Sequence, residues 1–236
     1  MTRDMFLQRI MLAVFLTALL PTRLLADDPP GYILVTGWYK DLGVQRAYNQ
    51  AVGPVLRQHG YESVVAGTPD ANLRVLEGDW TPRMTLLIKF ASENHAKGFW
   101  WSDDYHQVKA IRSEVSALDI VQLDGVAGVT PQLDNNSAYL LFFGEITDRT
   151  RLVKDYAPFA AETVRDHGGQ FLVRAGRTDI ELLEGAFGSV SVVILEFPDG
   201  ENLRAFWNSS RYQQLSEVRR SSGKWSVVEI MPRAAN

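Results

Sequence analysis

Two glutamates in this 236-residue chain stand where a carboxylate can be tuned. Glu77 follows Val75-Leu76 and precedes Gly78, and Glu184 follows Leu182-Leu183 and precedes Gly185. A carboxylate among apolar neighbours, once buried, has a raised pKa and can work as a general acid or base. The same position suits a turn carboxylate that holds a hairpin by pairing with an arginine. Arg174 and Arg219, with Arg112 in the first part of the chain, fit either picture. Their planar guanidinium groups grip a carboxylate through two parallel hydrogen bonds, whether it belongs to a ligand or to the protein. An Arg174–Glu184 pair across a hairpin is the expected internal contact. His59 and His167 each precede a glycine. Each is either a cation facing the negative end of a helix or a general base in a cleft.

Aromatic residues recur as Phe-Trp-x-Ser-x-x-Tyr. The motif contains Trp100 and Tyr105 in one place and Trp207, Ser209 and Tyr212 in another, with Trp101 beside the first. At helical spacing these are core residues, or the wall of an amphipathic pocket into which phenol and indole point their polar ends. Ser209 reads as a helix cap, because no Gly-x-Ser-x-Gly turn surrounds it. There is no glycine-rich phosphate loop or dinucleotide fingerprint, so no cofactor is expected. The chain has no cysteine, and neither histidine has a partner at ligand spacing, so no metal site is expected. Net charge is −4 with no basic block, which argues against nucleic acid as a partner.

The N-terminus has the pattern of an export signal. Arg3 and Arg9 precede an apolar run from Ile10 to Leu20, Pro21 ends it, and Ala26 stands before Asp27-Asp28. That run is shorter than the roughly 20 residues a bilayer span needs. Cleavage after Ala26 and a periplasmic or secreted mature protein are expected, with no stable membrane span. Arg23 is unusual in such a cleavage region, and uncleaved anchoring is the competing reading. Cleavage removes three arginines and one aspartate, moving the net charge from −4 to −6.

The elements that must position these groups come in two sets. Residues 32–123 and 139–230 align with an offset of 107 or 108. Tyr48 falls on Tyr156, His59-Gly60 on His167-Gly168, and Leu76-Glu77-Gly78 on Leu183-Glu184-Gly185. Phe99-Trp100, Tyr105 and Arg112 fall on Phe206-Trp207, Tyr212 and Arg219. The drift of one is expected near the helix-to-strand turns. The organisation is then a signal segment (1–26), a first repeat (27–124), a linker (125–137) and a second repeat (138–236).

Within each repeat, β-branched and aromatic runs alternate with helical stretches. Strands are expected over 32–38, 63–67, 84–90 and 118–123, and over 138–146, 170–175, 190–197 and 225–230. A first helix ends at His-Gly, and a second opens at Ser92 or Asp199. The second helix breaks near Ser102 or Ser209, and Ser210-Arg211-Tyr212-Gln213 is a candidate capping box for its restart. The Glu-Gly segments read as turns. The order β-α-β-β-α-β is the ferredoxin-like arrangement, an α+β fold with helices on one face of a sheet. The other face would be bare in water, so the repeats should pack sheet to sheet as an intramolecular pseudo-dimer. Continuous apolar runs such as Ile33-Leu34-Val35 and Val192 to Leu195 fit strands covered on both sides.

In these residues each copy resembles the bacterial family known as domain of unknown function 1330. The second copy carries the pattern more fully: His167-Gly168-Gly169, Leu172-Val173-Arg174, Leu183-Glu184-Gly185, Val193 to Pro198, Phe206 to Ser209, Tyr212 and Arg219. The first copy has Ala66 for Arg174, Lys89 for Glu196 and Trp101 for Asn208. The resemblance implies the dimeric α/β-barrel superfamily, here with the dimer fused into one chain. That superfamily includes cofactor-free oxygenases, isomerases and haem enzymes, and fold kinship does not choose among them.

Two functions follow as expectations. One is a non-catalytic module, structural or binding a small apolar or aromatic molecule. The other is a cofactor-free enzyme for proton transfer or oxygenation. Its site would lie between sheet and helices, with Glu184 as acid or base, Arg174 or Arg219 on an anionic group, and Trp207 and Tyr212 as the wall. The missing counterpart of Arg174 makes the second half the better equipped.

Overall fold

The computed structural model describes residues 28–81 and 83–232, so the expected export signal lies outside the described residues. The first half runs β1 (Gly31–Tyr39), α1 (Leu42–Gln58), β2 (Glu62–Gly67), β3 (Leu73–Glu77), β4 (Met84–Phe90), α2 (Glu93–Trp100), α3 (Asp103–Lys109) and β5 (Ser116–Asp124). The second half repeats it with β6 (Ala138–Ile146), α4 (Arg149–Arg151), a π-helical turn (Leu152–Tyr156), α5 (Ala157–Asp166), β7 (Gln170–Ala175), β8 (Ile180–Glu184), β9 (Ser191–Phe197), α6 (Gly200–Asn208), α7 (Ser210–Ser221) and β10 (Gly223–Ile230).

Each half is a ferredoxin-like unit. Its own four strands lie in the order β2-β4-β1-β5, or β7-β9-β6-β10, and all neighbours are antiparallel. The Glu-Gly segments depart from expectation. They are short strands, β3 and β8, not turns, and each crosses to the other half's sheet. β8 pairs with β5, and β3 pairs with β10. Both sheets therefore have five strands, one of them donated. Donation covers the edges of β5 and β10, which would otherwise present unpaired backbone groups.

The two sheets pack face to face, as the continuous apolar runs require. Tyr32, Leu34, Val121 and Leu123 from one sheet meet Tyr139, Leu141, Phe143, Val228 and Ile230 from the other in one buried cluster. The alternate residues face the helices: Ile33 and Ile120 lie under α1 and α2, and Leu140 and Val227 under α5 and α6. Both faces of these strands are thus out of water. Each large apolar side chain so buried contributes roughly 1.5–3 kcal/mol. Among the described residues no helix is long and apolar enough to cross a membrane.

Local sequence sets the helix boundaries. Ser92 and Asp199 cap α2 and α6, accepting from the amides of His95 and Asn202. Ser102 and Ser209 cap the restarts α3 and α7 by accepting from the amides of Tyr105 and Tyr212. The cap of α7 is therefore Ser209, one residue before the expected box.

The one-residue drift between the repeats also has a different origin from the one expected. Asp41 and Asp148, 107 apart, each cap the first helix of their half. Tyr48 and Tyr156 are 108 apart, so the extra residue lies inside the helix. It is absorbed as the π-turn, in which the Ala157 amide donates to the Leu152 carbonyl five residues back. The frame returns to 107 in the loop after β7, which is one residue shorter than the loop after β2.

The linker is held along its length. Gly125 donates to the Pro30 carbonyl and Val126 to that of Leu172. Glu196 takes the Gln132 amide on both oxygens, the Tyr139 hydroxyl at 2.9 Å and the Gln170 side chain at 2.7 Å.

Candidate functional site

Both halves leave a cavity between the first helix and the sheet. In the second half it is about 530 Å³, within the range of small-molecule sites. Its floor is β6, β7 and β9 through Phe142, Phe171, Val193 and Leu195, and its roof is the π-turn and α5 through Leu152, Tyr156 and Ala160. Arg219 and Trp225 close the inner end, and Phe206 contributes from α6. Arg149, Arg174, Arg177 and Asp179 also line the cavity and are exposed to solvent. The first-half cavity is about 380 Å³, lined by Ile33, Val35, Tyr39, Tyr48, Tyr105 and Arg112 among others.

At the inner end of each cavity sits a buried arginine, and its carboxylate partner comes from the other half. Arg219 donates to Glu77 through Nη1 at 2.9 Å and Nη2 at 2.7 Å. Arg112 donates to Glu184 at 2.7 and 3.0 Å. Each glutamate ends a donated strand, so strand exchange delivers it to the opposite arginine. The expected Arg174–Glu184 pair does not form, because β8 leaves the sheet that contains Arg174. The Arg174 guanidinium lies over the Phe171 ring, 3.6 Å from its centroid.

Burial pushes the Glu184 pKa upward, but hydrogen bonds from Arg112 and Lys109 outweigh it and hold the carboxyl below its usual range. Glu184 is thus an ionised structural anchor and a weak proton acceptor at neutral pH. Burial drives the pKa values of the Tyr156 and Tyr212 hydroxyls upward, so both remain protonated. The Tyr105 hydroxyl accepts from Arg112 at 3.0 Å. Among the described residues, neither the buried Tyr212 hydroxyl nor the buried Arg219 Nε has a hydrogen-bond partner.

The structure places the remaining expected site residues as follows. His167 hydrogen-bonds the Thr163 carbonyl through Nδ1 at the end of α5 and meets Phe206 edge-on. Trp207 stacks obliquely on Tyr212 and faces a different depression, beside Arg74 and Glu229. The Ser209 hydroxyl donates to the Phe206 carbonyl as a cap. Trp100 is buried against Tyr105, with Lys109 over its ring. The larger cavity therefore brings together Arg174 and Arg219, and the smaller one Trp100, Tyr105 and Arg112. Neither wall includes Glu77, Glu184, His167, Trp207, Ser209 or Tyr212. No motif in the sequence marks Tyr156, Phe142, Trp225, Arg149 or Arg177 as site residues, and the coincidence of Tyr48 with Tyr156 is the one signal it offers.

The fold and the paired cavities define a fused α/β barrel of two ferredoxin-like halves. The chain belongs to the family described as domain of unknown function (DUF1330), whose model matches residues 30–126 and 137–231. Among solved structures it is similar to a protein from Fusobacterium nucleatum named "putative monooxygenase". Identity is 9%, with 88% of this chain and 94% of that one covered, at a TM-score of 0.51. A protein of the same name from Lactobacillus acidophilus aligns at 9% identity, 86% and 94% coverage and TM-score 0.48. A protein of unknown function from Rhodopseudomonas palustris aligns with 44% of this chain and 85% of its own length, at 14% identity and TM-score 0.35. At such identities the likeness concerns the fold alone. No curated protein matches the chain in sequence.

Proposed function

We propose that this is an exported small-molecule-binding module whose ligand occupies the second-half cavity. The observation that carries the reading is the pairing of an apolar, solvent-reachable space of about 530 Å³ with an inner end already neutralised by Glu77. Such a space favours an apolar body. The alternative of a cofactor-free enzyme has less support. Neither glutamate lines a cavity, each is committed to an arginine, and burial keeps the hydroxyls of Tyr156 and Tyr212 protonated rather than basic.

The test is titration with phenylnaphthylamine, an uncharged aromatic probe that fluoresces when shielded from water. Wild type should give saturable binding. Ala157→Trp, which plugs the second cavity from the exposed side of α5, should abolish it. Asn49→Trp, the matching change in α1, should leave it intact. Binding that survives Ala157→Trp, or no binding at all, would remove the proposal. Export is tested separately. Periplasmic or culture fractions should contain a protein that begins at Asp27, whereas an intact N-terminus held in the membrane fraction would contradict it.

A further inference from the structure

The two cavities are built from corresponding elements, each with its own inner arginine, but differ in the charge of their lining. Arg149, Arg174 and Arg177 line the second cavity, and among the described residues none of them forms an ion pair. Asp179 is the one carboxylate on this wall. It is occupied locally, accepting from the Gly176 amide at 2.9 Å and the Thr178 hydroxyl at 3.1 Å. Arg219, at the inner end, is cancelled by Glu77. The lining then carries a net two positive charges on a chain whose total is −4. Arg165 stands close enough to Arg174 to add repulsion.

The first cavity has nothing equivalent. Leu42 stands at the helix position of Arg149, and Ala66 at the strand position of Arg174. Its single cationic lining residue is Arg112, already bound to Glu184. Three unpaired guanidinium groups beside an apolar interior have a direct use. They can hold an anion at the mouth while its body is desolvated within, and a guanidinium matches a carboxylate or sulfonate with two donors at once.

We infer that the second-half cavity selects apolar organic anions, with the anionic head held by Arg149, Arg174 and Arg177 and the apolar body lying between Phe142, Phe171, Leu152 and Phe206. The first-half cavity does not take such ligands. This rests on the binding reading above and adds the chemical class of the ligand.

The experiment compares anilinonaphthalene sulfonate with phenylnaphthylamine, which shares the rings and lacks the anionic group. Wild type should bind the sulfonate at least about tenfold more tightly at low salt, with one site per chain, and the gap should shrink as salt rises. The triple variant Arg149→Ala/Arg174→Ala/Arg177→Ala should lose that advantage, its affinities for the two probes falling to within about twofold of each other. Decanoate should displace the sulfonate, and decanol should do so less well. Equal affinity for the two probes in wild type, or an unchanged preference in the triple variant, overturns the anion assignment while the cavity reading stands. Failure of both probes to bind removes the two readings together. Two equivalent sulfonate sites would refute the distinction between the halves.

Discussion

Arg219 in α7 grips Glu77 at the end of β3 through both carboxylate oxygens, although 142 positions separate the two residues. Its mirror image is Arg112 with Glu184. Each pair joins one half's helical layer to the strand the other half has donated. Both arginines are 1% exposed in their side chains, and the glutamates are partly exposed. Removing one partner leaves a buried guanidinium without its counter-charge. For fully buried pairs that costs about 3–5 kcal/mol, and the exposure of the glutamates reduces it here to about 2–3 kcal/mol. Glu77→Gln and Glu184→Gln should each lower the urea midpoint accordingly, with no ligand present. The double change Glu77→Leu/Arg219→Met should recover most of the loss. Midpoints equal to wild type in both single variants would show that the clasps add no stability.

Acid should weaken the same clasp. The folded-state pKa of Glu184 lies below its ordinary value of 4.5. A depressed carboxylate pKa contributes stability that is present above the unfolded-state value and disappears as pH falls through the folded-state value. The unfolding free energy should therefore fall as pH drops below about 4.5, and Glu184→Gln should flatten that slope. A variant whose acid limb runs parallel to wild type would assign the loss to other carboxylates.

Most of the architecture can be read from the sequence because it rests on periodicity. Runs such as Ile33 to Val35 declare strands buried on both faces, and Ser92, Asp199 and the His-Gly pairs mark helix ends. Strand exchange could not be read this way. Leu73 to Glu77 and Ile180 to Glu184 are only five residues each, and a local pattern does not say which sheet supplies the neighbour. The arginine–glutamate partners depend on that exchange, whereas proximity in sequence points to Arg174 for Glu184. Of the cavity, Arg174 and Arg219 were visible as residue types. The remaining walls depend on the path of the first helix, which a one-residue offset hinted at without locating.

The donated strands also depend on glycine. Gly78 and Gly185 follow the clasping glutamates with φ of 82° and 83°. A Cβ on Gly78 would lie 2.2 Å from the Trp225 carbonyl oxygen, and one on Gly185 2.3 Å from that of Leu118. Both obstacles are backbone, so the clash cannot be relieved by a rotamer change. Strain in a left-handed conformation alone costs about 1–3 kcal/mol. Gly78→Ala and Gly185→Ala should each lose at least about 2 kcal/mol by calorimetry or urea unfolding. Gly60→Ala should lose less despite its φ of 65°, because among the described residues, its chain neighbours aside, no atom lies within 4 Å of the added methyl. Equal losses at all three sites would mean that close packing adds nothing to the backbone term.

The π-turn offers a test of whether the repeats have diverged for binding. It places Leu152, Val153 and Tyr156 on the wall of the larger cavity, where the uninterrupted α1 borders the smaller one. An inserted residue in a helix widens one turn and shifts the side chains that follow by about a hundred degrees unless a π-turn absorbs it. Deleting Val153, half of which is exposed, should restore regular helical bonding and bring Tyr156 into the register of Tyr48. The protein should still unfold cooperatively, because the core-facing Ala160 and Val164 keep their places relative to β7. Affinity for phenylnaphthylamine should fall at least about fivefold, equivalent to about 1 kcal/mol. If the deletion variant binds as wild type does, the extra residue is a neutral insertion and the difference in cavity size has another origin.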